Sequence, residues 1–224
     1  MMMKWHDDMA VVSHIDPMGL KFFDLMPKGG VVLEEAKRKK LKVGFNNGFF
    51  SYDKHKGFAP EGRIVCDGKL VNNRPFETEW AYTFFIFKNG SLRIDKFNLI
   101  SVKVISNVHL AIEAGPRLVY EGNIVEGLSP RVKASRLALG WDENGLLMIA
   151  AIRDKITLHE FAKRLKDAGF LYALNMDGGG STSLYYNDGA DKIELFGIPT
   201  FAYDVIKYEH GEKGRKVPHM LGIE

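Results

Sequence analysis

The 224 residues carry 31 Lys plus Arg against 28 Asp plus Glu, a net charge of +3, with 46% hydrophobic and 26% charged residues. That apolar content is enough to bury a full core and excludes a disordered chain, while the basic excess is too small for a nucleic-acid binder. Length without a linker-like break predicts a single domain over residues 1–224, and one cysteine, Cys66, excludes an intrachain disulfide and a cysteine-built zinc site.

Residues 1–20 intersperse Lys4, His6, Asp7, Asp8 and Asp16 among apolar positions, so the uninterrupted apolar core of a signal peptide is missing. Nowhere do ~18 apolar residues run together as a membrane-spanning helix requires. The expectation is a cytoplasmic protein with no membrane and no nucleic-acid partner. Residues 9–23, broken by Pro17 and Gly19, predict an edge strand and a turn. Residues 32–40 predict a helix whose cationic end, Lys37 to Lys40, complements the helix dipole and forms a solvated face. Residues 41–45 then read as a strand that delivers Asn46, Asn47 and Gly48 to its end.

Through the middle the hydrophobic period is two. Asp67-Gly68 and Asn89-Gly90 mark hairpins that pair 63–66 with 69–71 and 81–87 with 91–94. Further strands are expected at 103–106, 109–113, 118–120 and 124–125, and a hairpin of 135–141 with 146–153. Cys66 reads as a small buried hydrophobe in its strand, with no histidine placed in sequence to activate it. Thr157 and Glu160 form a capping box for a helix whose Leu158, Phe161, Ala162, Leu165 and Ala168 share one face, and Gly169 closes it. Residues 170–176 are a near-continuous apolar strand, buried on both sides if that helix packs on it. The fold class is α+β: a large, twisted, mainly antiparallel or mixed sheet system with a few helices on one side.

The apolar strand ends in Asp177, Gly178, Gly179, Gly180, Ser181 and Thr182. Glycines allow positive φ and close approach to backbone amides, and the hydroxyls donate to phosphate or sugar oxygens, so the segment suits an anion. No Gly-Lys-Ser/Thr follows, which excludes a Walker loop, and a strand follows where a dinucleotide fingerprint needs a helix. A carboxylate at the end of a buried strand must find a partner or change its pKa; the competing structural role is an Asp that caps its own turn. His14, His55, His109, His159, His210 and His219 lack metal-site spacing, so no cofactor or metal is indicated, although a divalent ion near Asp177 stays open. His109 is expected on the same strand face as Glu113. Trp80, Tyr82 and Trp141 are candidates for stacking on a sugar ring, with core packing as the alternative.

The segment Leu174-Asn175-Met176-Asp177-Gly178-Gly179-Gly180-Ser181-Thr182 resembles the signature of the phosphodiester glycosidases, the family that contains the mannose 6-phosphate uncovering enzyme. Asn46-Asn47-Gly48-Phe49-Phe50, Ala114-Gly115-Pro116-Arg117-Leu118-Val119, Ser135-Arg136-Leu137-Ala138-Leu139-Gly140 and a closing strand over 215–223 resemble further elements of that family in the same order. Three positions depart from its pattern: Asn47 replaces a small residue, Leu137 a Thr, and Glu113 a frequent Gln. The resemblance implies a hydrolase that cleaves a sugar-1-phosphodiester to free sugar and phosphomonoester. Its implied partner is a phosphorylated carbohydrate. It implies catalytic roles for Asp177, with Glu113 as the competing carboxylate, and for Arg136 on the phosphate. Substrate contacts are expected from Asn46, Gly48, Arg117, Gly178, Gly179, Gly180, Ser181 and Thr182. The alternatives are a phosphosugar-binding module without turnover and a structural component of a phage or surface assembly.

Overall fold

The computed structural model describes residues 1–97, 102–201 and 213–224. Among them the principal strands form one seven-stranded sheet and two five-stranded sheets, with two short ribbons beside them. The neighbouring strands run antiparallel, in the register the Gly-containing turns impose, as in Ile64–Cys66 against Lys69–Asn72 and Tyr82–Phe87 against Leu92–Asp95. The α+β class with a large sheet system is thus the observed architecture.

The three large sheets bury one face each in a shared core. Val12, Leu139 and Leu174 enter it from the seven-stranded sheet, Phe84 and Ile112 from the sheet of strand Tyr82–Phe87, and Phe45 and Leu221 from the sheet of strand Val43–Asn46. Alternation decides the opposite faces. In strand Ala134–Trp141, Leu137 and Leu139 point to the shared core, whereas Ala138 meets Phe161, Ala162 and Leu165 of helix Leu158–Asp167. Small Ala138, Ala150 and Ala173 let that helix lie close on the sheet. Each fully buried Leu or Phe contributes roughly 1.5–3 kcal/mol relative to exposure. The helix carries the capping box expected of it, with Thr157 Oγ1 accepting from Glu160 N at 3.1 Å and Glu160 Oε2 accepting from Thr157 N at 2.8 Å.

Helix Val32–Arg38 covers a different sheet, packing Leu33 and Ala36 on Tyr185 and Met220. The helices therefore do not share one side, as the sequence suggested, because each sheet has its own outer apolar set. Two further expectations need correction. Strand Met9–Ile15 is interior, between Met2–His6 and Leu147–Ile156; Met9 to Val12 are all buried because both faces of this strand are covered. Residues 102–105 are a helical turn where a strand was expected. Val and Ile favour strands, but Asn107 N closes the turn on Val104 O at 3.0 Å and Ile105 packs against the cluster of Phe85 and Val108. Tertiary contacts override the propensity there. Cys66 is half-buried rather than fully so, and burial raises its thiol pKa, which keeps it protonated and inert.

Candidate active site

Strand ends from all three sheets converge on one corner. Strand Val43–Asn46 ends at Asn46, strand Val108–Ala114 ends just past Glu113, and strand Tyr172–Asn175 runs out into Asp177. Backbone hydrogen bonds lace them together: Asp177 N donates to Asn47 O at 2.9 Å, Gly115 N to Asn175 O at 2.9 Å and Asn175 N to Pro116 O at 3.0 Å. Asn46 is 1% exposed. Its Nδ2 donates to Asp177 O at 2.8 Å while its Oδ1 accepts from Ser183 N at 2.8 Å. Asn46 thus clamps both ends of the glycine segment through the backbone. Gly48 packs against the Val108–Ala114 strand, where a Cβ would lie 3.2 Å from Ile112 Cγ2.

The glycine turn itself is packed. Gly179, Gly180, Ser181 and Thr182 are buried, and Gly178 and Asp177 are half-buried. A Cβ on Gly178 would stand 2.7 Å from Ser135 O and 4.0 Å from Arg136 Cδ. Glycine here lets the turn lie against the neighbouring strand and brings Asp177-Gly178 alongside Arg136. Ser181 Oγ accepts from Arg215 Nη1 at 3.2 Å, and the Thr182 hydroxyl is enclosed. The loop hydroxyls face inward, so Gly179, Gly180, Ser181 and Thr182 do not form the open anion cradle that composition suggested. Arg215, which sequence reading assigned only to a closing strand, supports that turn from beneath.

The open space lies beside it. A cavity of about 490 Å³ is walled by Phe49, Trp80, Tyr82, Arg117, Arg136 and Asn175, among others. Arg136 is 8% exposed, with Nε donating to Ile156 O at 3.2 Å and Nη2 to Val132 O at 2.7 Å. Burial lowers its pKa to about 10, which still leaves a full positive charge at neutral pH. Arg117 stands between two rings, 4.2 Å from the Tyr82 centroid and 4.4 Å from that of Tyr120. Its buried Nε has no hydrogen-bond partner among the described residues. Asn175 donates Nδ2 to Gly115 O at 3.0 Å, while its buried Oδ1 lacks a partner. The wall therefore carries one unpaired donor, on Arg117 itself, and one unpaired acceptor, on Asn175, and buried groups in that condition await a ligand or water.

Trp80 is held at the rim because Gly115, at φ +137°, brings the chain so close that a Cβ would sit 2.5 Å from Trp80 O. Phe49 stacks on Phe76 with centroids 4.9 Å apart and meets Trp80 edge-on at 5.9 Å. Glu113 is placed elsewhere. Its Oε2 accepts from Arg63 N at 2.9 Å and Phe76 N at 3.0 Å, and its Oε1 lies 3.4 Å from Arg63 Nη1. Those contacts hold the Arg63 and Phe76 segments and leave Glu113 outside the cavity wall. His109 is likewise engaged away from it, 2.9 Å from both Asp67 Oδ1 and Leu20 O; His210 lies outside the described residues. Asn175, Phe49 and Tyr120 were not read as site residues. Asn175 had a signal, since it stands two residues before Asp177 at the period that places side chains on one strand face.

Among the described residues no group of three or more His, Cys, Asp or Glu could hold a metal ion, and no helix is long and apolar enough to cross a membrane. Two guanidinium groups on one cavity wall at converging strand ends have the charge and donors to hold an anion. The chain belongs to the phosphodiester glycosidase family, whose model matches residues 39–224. Its fold is similar to that of the catalytic domain of zebrafish N-acetylglucosamine-1-phosphodiester alpha-N-acetylglucosaminidase, auto-inhibited by its pro-peptide: TM-score 0.71 and 22% identity over 96% of this chain and 76% of that one. A Burkholderia pseudomallei protein described as exported aligns with TM-score 0.60 and 14% identity over 96% of this chain and 73% of its own. A hypothetical protein from Synechocystis aligns with TM-score 0.56 and 18% identity over 96% of this chain, which spans 58% of that protein. No curated protein matches the chain.

Proposed function

We propose that this protein hydrolyses a sugar-1-phosphodiester, releasing the free sugar and a phosphomonoester. The observation that carries the reading is the cavity wall, where Arg117 with its unpaired Nε, Arg136 and Asn175 with its unpaired Oδ1 stand together, Asp177 following Asn175 by two residues just outside that lining. Two fixed guanidinium groups match the single charge of a phosphodiester and the growing charge of the departing phosphate. Water adds at the anomeric carbon, the bond from that carbon to the phosphate oxygen breaks, and its electron pair leaves with the phosphate. A phosphomonoester has a second pKa of about 6, so it departs without strong acid help. Asp177 supplies the carboxylate that takes the proton of the attacking water or, alternatively, attacks the anomeric carbon first and is then displaced by water; Glu113 holds two loop amides and serves the scaffold. Family membership supports the reaction class.

Incubation with a p-nitrophenyl diester of N-acetylglucosamine 1-phosphate should release reducing sugar. Release should vanish in Asp177→Asn and Arg136→Ala while circular dichroism shows both variants folded. Measurable binding of the diester by wild type with no release on long incubation would replace catalysis by recognition alone.

A further inference from the structure

Residues 73–81 have no regular secondary structure, yet Glu79 and Trp80 from that segment line the cavity of about 490 Å³. An irregular segment must find partners for its amides and carbonyls outside any strand ladder. Glu113 takes the Phe76 amide near one end. At the other end stands Lys96, a residue with no part in the proposed reaction.

Lys96 follows strand Leu92–Asp95, and since Thr83 pairs with Asp95, the same antiparallel register sets it opposite Tyr82. Its Nζ lies 4.0 Å from the Tyr82 centroid and donates to Glu79 O and, at 2.6 Å, to Ala81 O. An ammonium has three donors and no acceptor, so one group can hold both carbonyls that flank Trp80 and still face a ring. Gly115 confines the carbonyl between them, for a Cβ there would stand 2.5 Å from Trp80 O. Three successive carbonyls are thus fixed.

The indole they carry is 43% exposed and meets Phe49 and Phe76 edge-on, with centroids 5.9 and 4.9 Å away. Burial therefore does not set its place; the backbone beneath it does. Satisfying a turn explains the two carbonyl bonds, but not why the residue held between them is a tryptophan on a cavity wall.

We infer that Lys96 is a positioning residue that holds Trp80 at the rim, where the indole covers the bound diester. The inference rests on the proposed reaction for what Trp80 covers, and on the two carbonyl bonds for what Lys96 does. A ring face touches the ligand alike in the ground and transition states, so its displacement should appear in KM rather than in kcat.

Lys96→Met keeps the length and the contact with the Tyr82 ring and removes all three donors. With the p-nitrophenyl diester of N-acetylglucosamine 1-phosphate it should raise KM about 10-fold and leave kcat within threefold. Lys96→Arg, which keeps donors, should return KM to near the wild-type value, and Lys96→Met added to Trp80→Ala should raise KM no further. An unchanged KM in Lys96→Met, no recovery in Lys96→Arg, or effects of Lys96→Met and Trp80→Ala that multiply would overturn the inference. A second readout needs no turnover. Fluorotryptophan in place of Trp5, Trp80 and Trp141 gives fluorine NMR resonances, that of Trp80 identified by its loss in Trp80→Phe. Lys96→Met should shift or broaden the Trp80 resonance and leave the other two in place; a Trp80 resonance that does not move, or three that collapse together, rejects positioning. If wild type releases no sugar, the proposed reaction fails and the fluorine spectrum alone decides for Lys96.

Discussion

Two neighbouring segments of this protein carry features of an anion site, and they do different work. The turn from Asp177 to Thr182 has three glycines and two hydroxyls, yet it is buried from Gly179 onward and fitted against Ser135 O. The wall formed by Arg117, Arg136 and Asn175 has an ordinary composition and opens on a cavity of about 490 Å³. Glycine permits close approach of any partner, and in the turn the partner is the protein's own backbone. Buried polar atoms left without a partner beside an open cavity are the better mark of a ligand site.

That contrast can be broken by substitution. Arg136→Ala should cut sugar release about 10³-fold, roughly 4 kcal/mol of transition-state stabilisation; a loss that merely follows the fall in melting temperature would return Arg136 to the scaffold. Gly178→Ala should act through folding instead, costing about 3 kcal/mol by overpacking against Ser135 O and lowering the thermal midpoint by roughly 6–12 °C. An unaltered midpoint with lost activity would show that the turn is a ligand surface after all.

The packed side should also be the pH-sensitive one. His219, 2% exposed, belongs to strand His219–Ile223, which pairs with Val43–Asn46; burial lowers its pKa from 6.5 to about 4. Between those values the unfolded chain binds the proton and the folded chain does not. The stabilisation is therefore complete above pH 6.5 and is lost as pH falls towards 4, by about 3 kcal/mol. His219→Leu should flatten the thermal midpoint between pH 7 and pH 4.5 relative to wild type, and parallel curves for the two proteins would refute the buried neutral ring. The smallest effect is expected at Glu113. Glu113→Gln keeps an acceptor for the amides of Arg63 and Phe76, so it should cost about 1 kcal/mol and leave turnover within threefold. A collapse of turnover at intact stability would make Glu113 a catalytic carboxylate.

Much of the frame was legible because its signals are local. Asp67-Gly68 and Asn89-Gly90 fixed two hairpins, Thr157 and Glu160 fixed a helix start, and the apolar runs either side of Asp142 to Gly145 marked the hairpin of 135–141 with 146–153. Strand Met9–Ile15 was misplaced at an edge because its covering strand, Met2–His6, is exposed or half-buried throughout, Met2 and Trp5 included, and offers no buried face by which to recognise it. At the site, Arg117 and Arg136 were singled out and line one cavity, but the inward turn of Ser181 and Thr182 was not legible. Ser181 accepts from Arg215, 34 residues further along the chain, and no local pattern announces such a contact. Asn46 was read as a group for substrate or for Asp177; it reaches Asp177 through the backbone carbonyl.

Strand His219–Ile223 sits inside its sheet, between Val43–Asn46 and Lys21–Asp24. Asn46, the clamp on the Asp177 turn, therefore lies in a strand that has Ser183–Asn187 on one side and lacks its other neighbour until synthesis has passed residue 223. A ribosome-bound intermediate shorter than that would carry every residue lining the 490 Å³ cavity and still leave the Asp177 corner unbraced, so the corner is completed only after the cavity's lining residues are all in place.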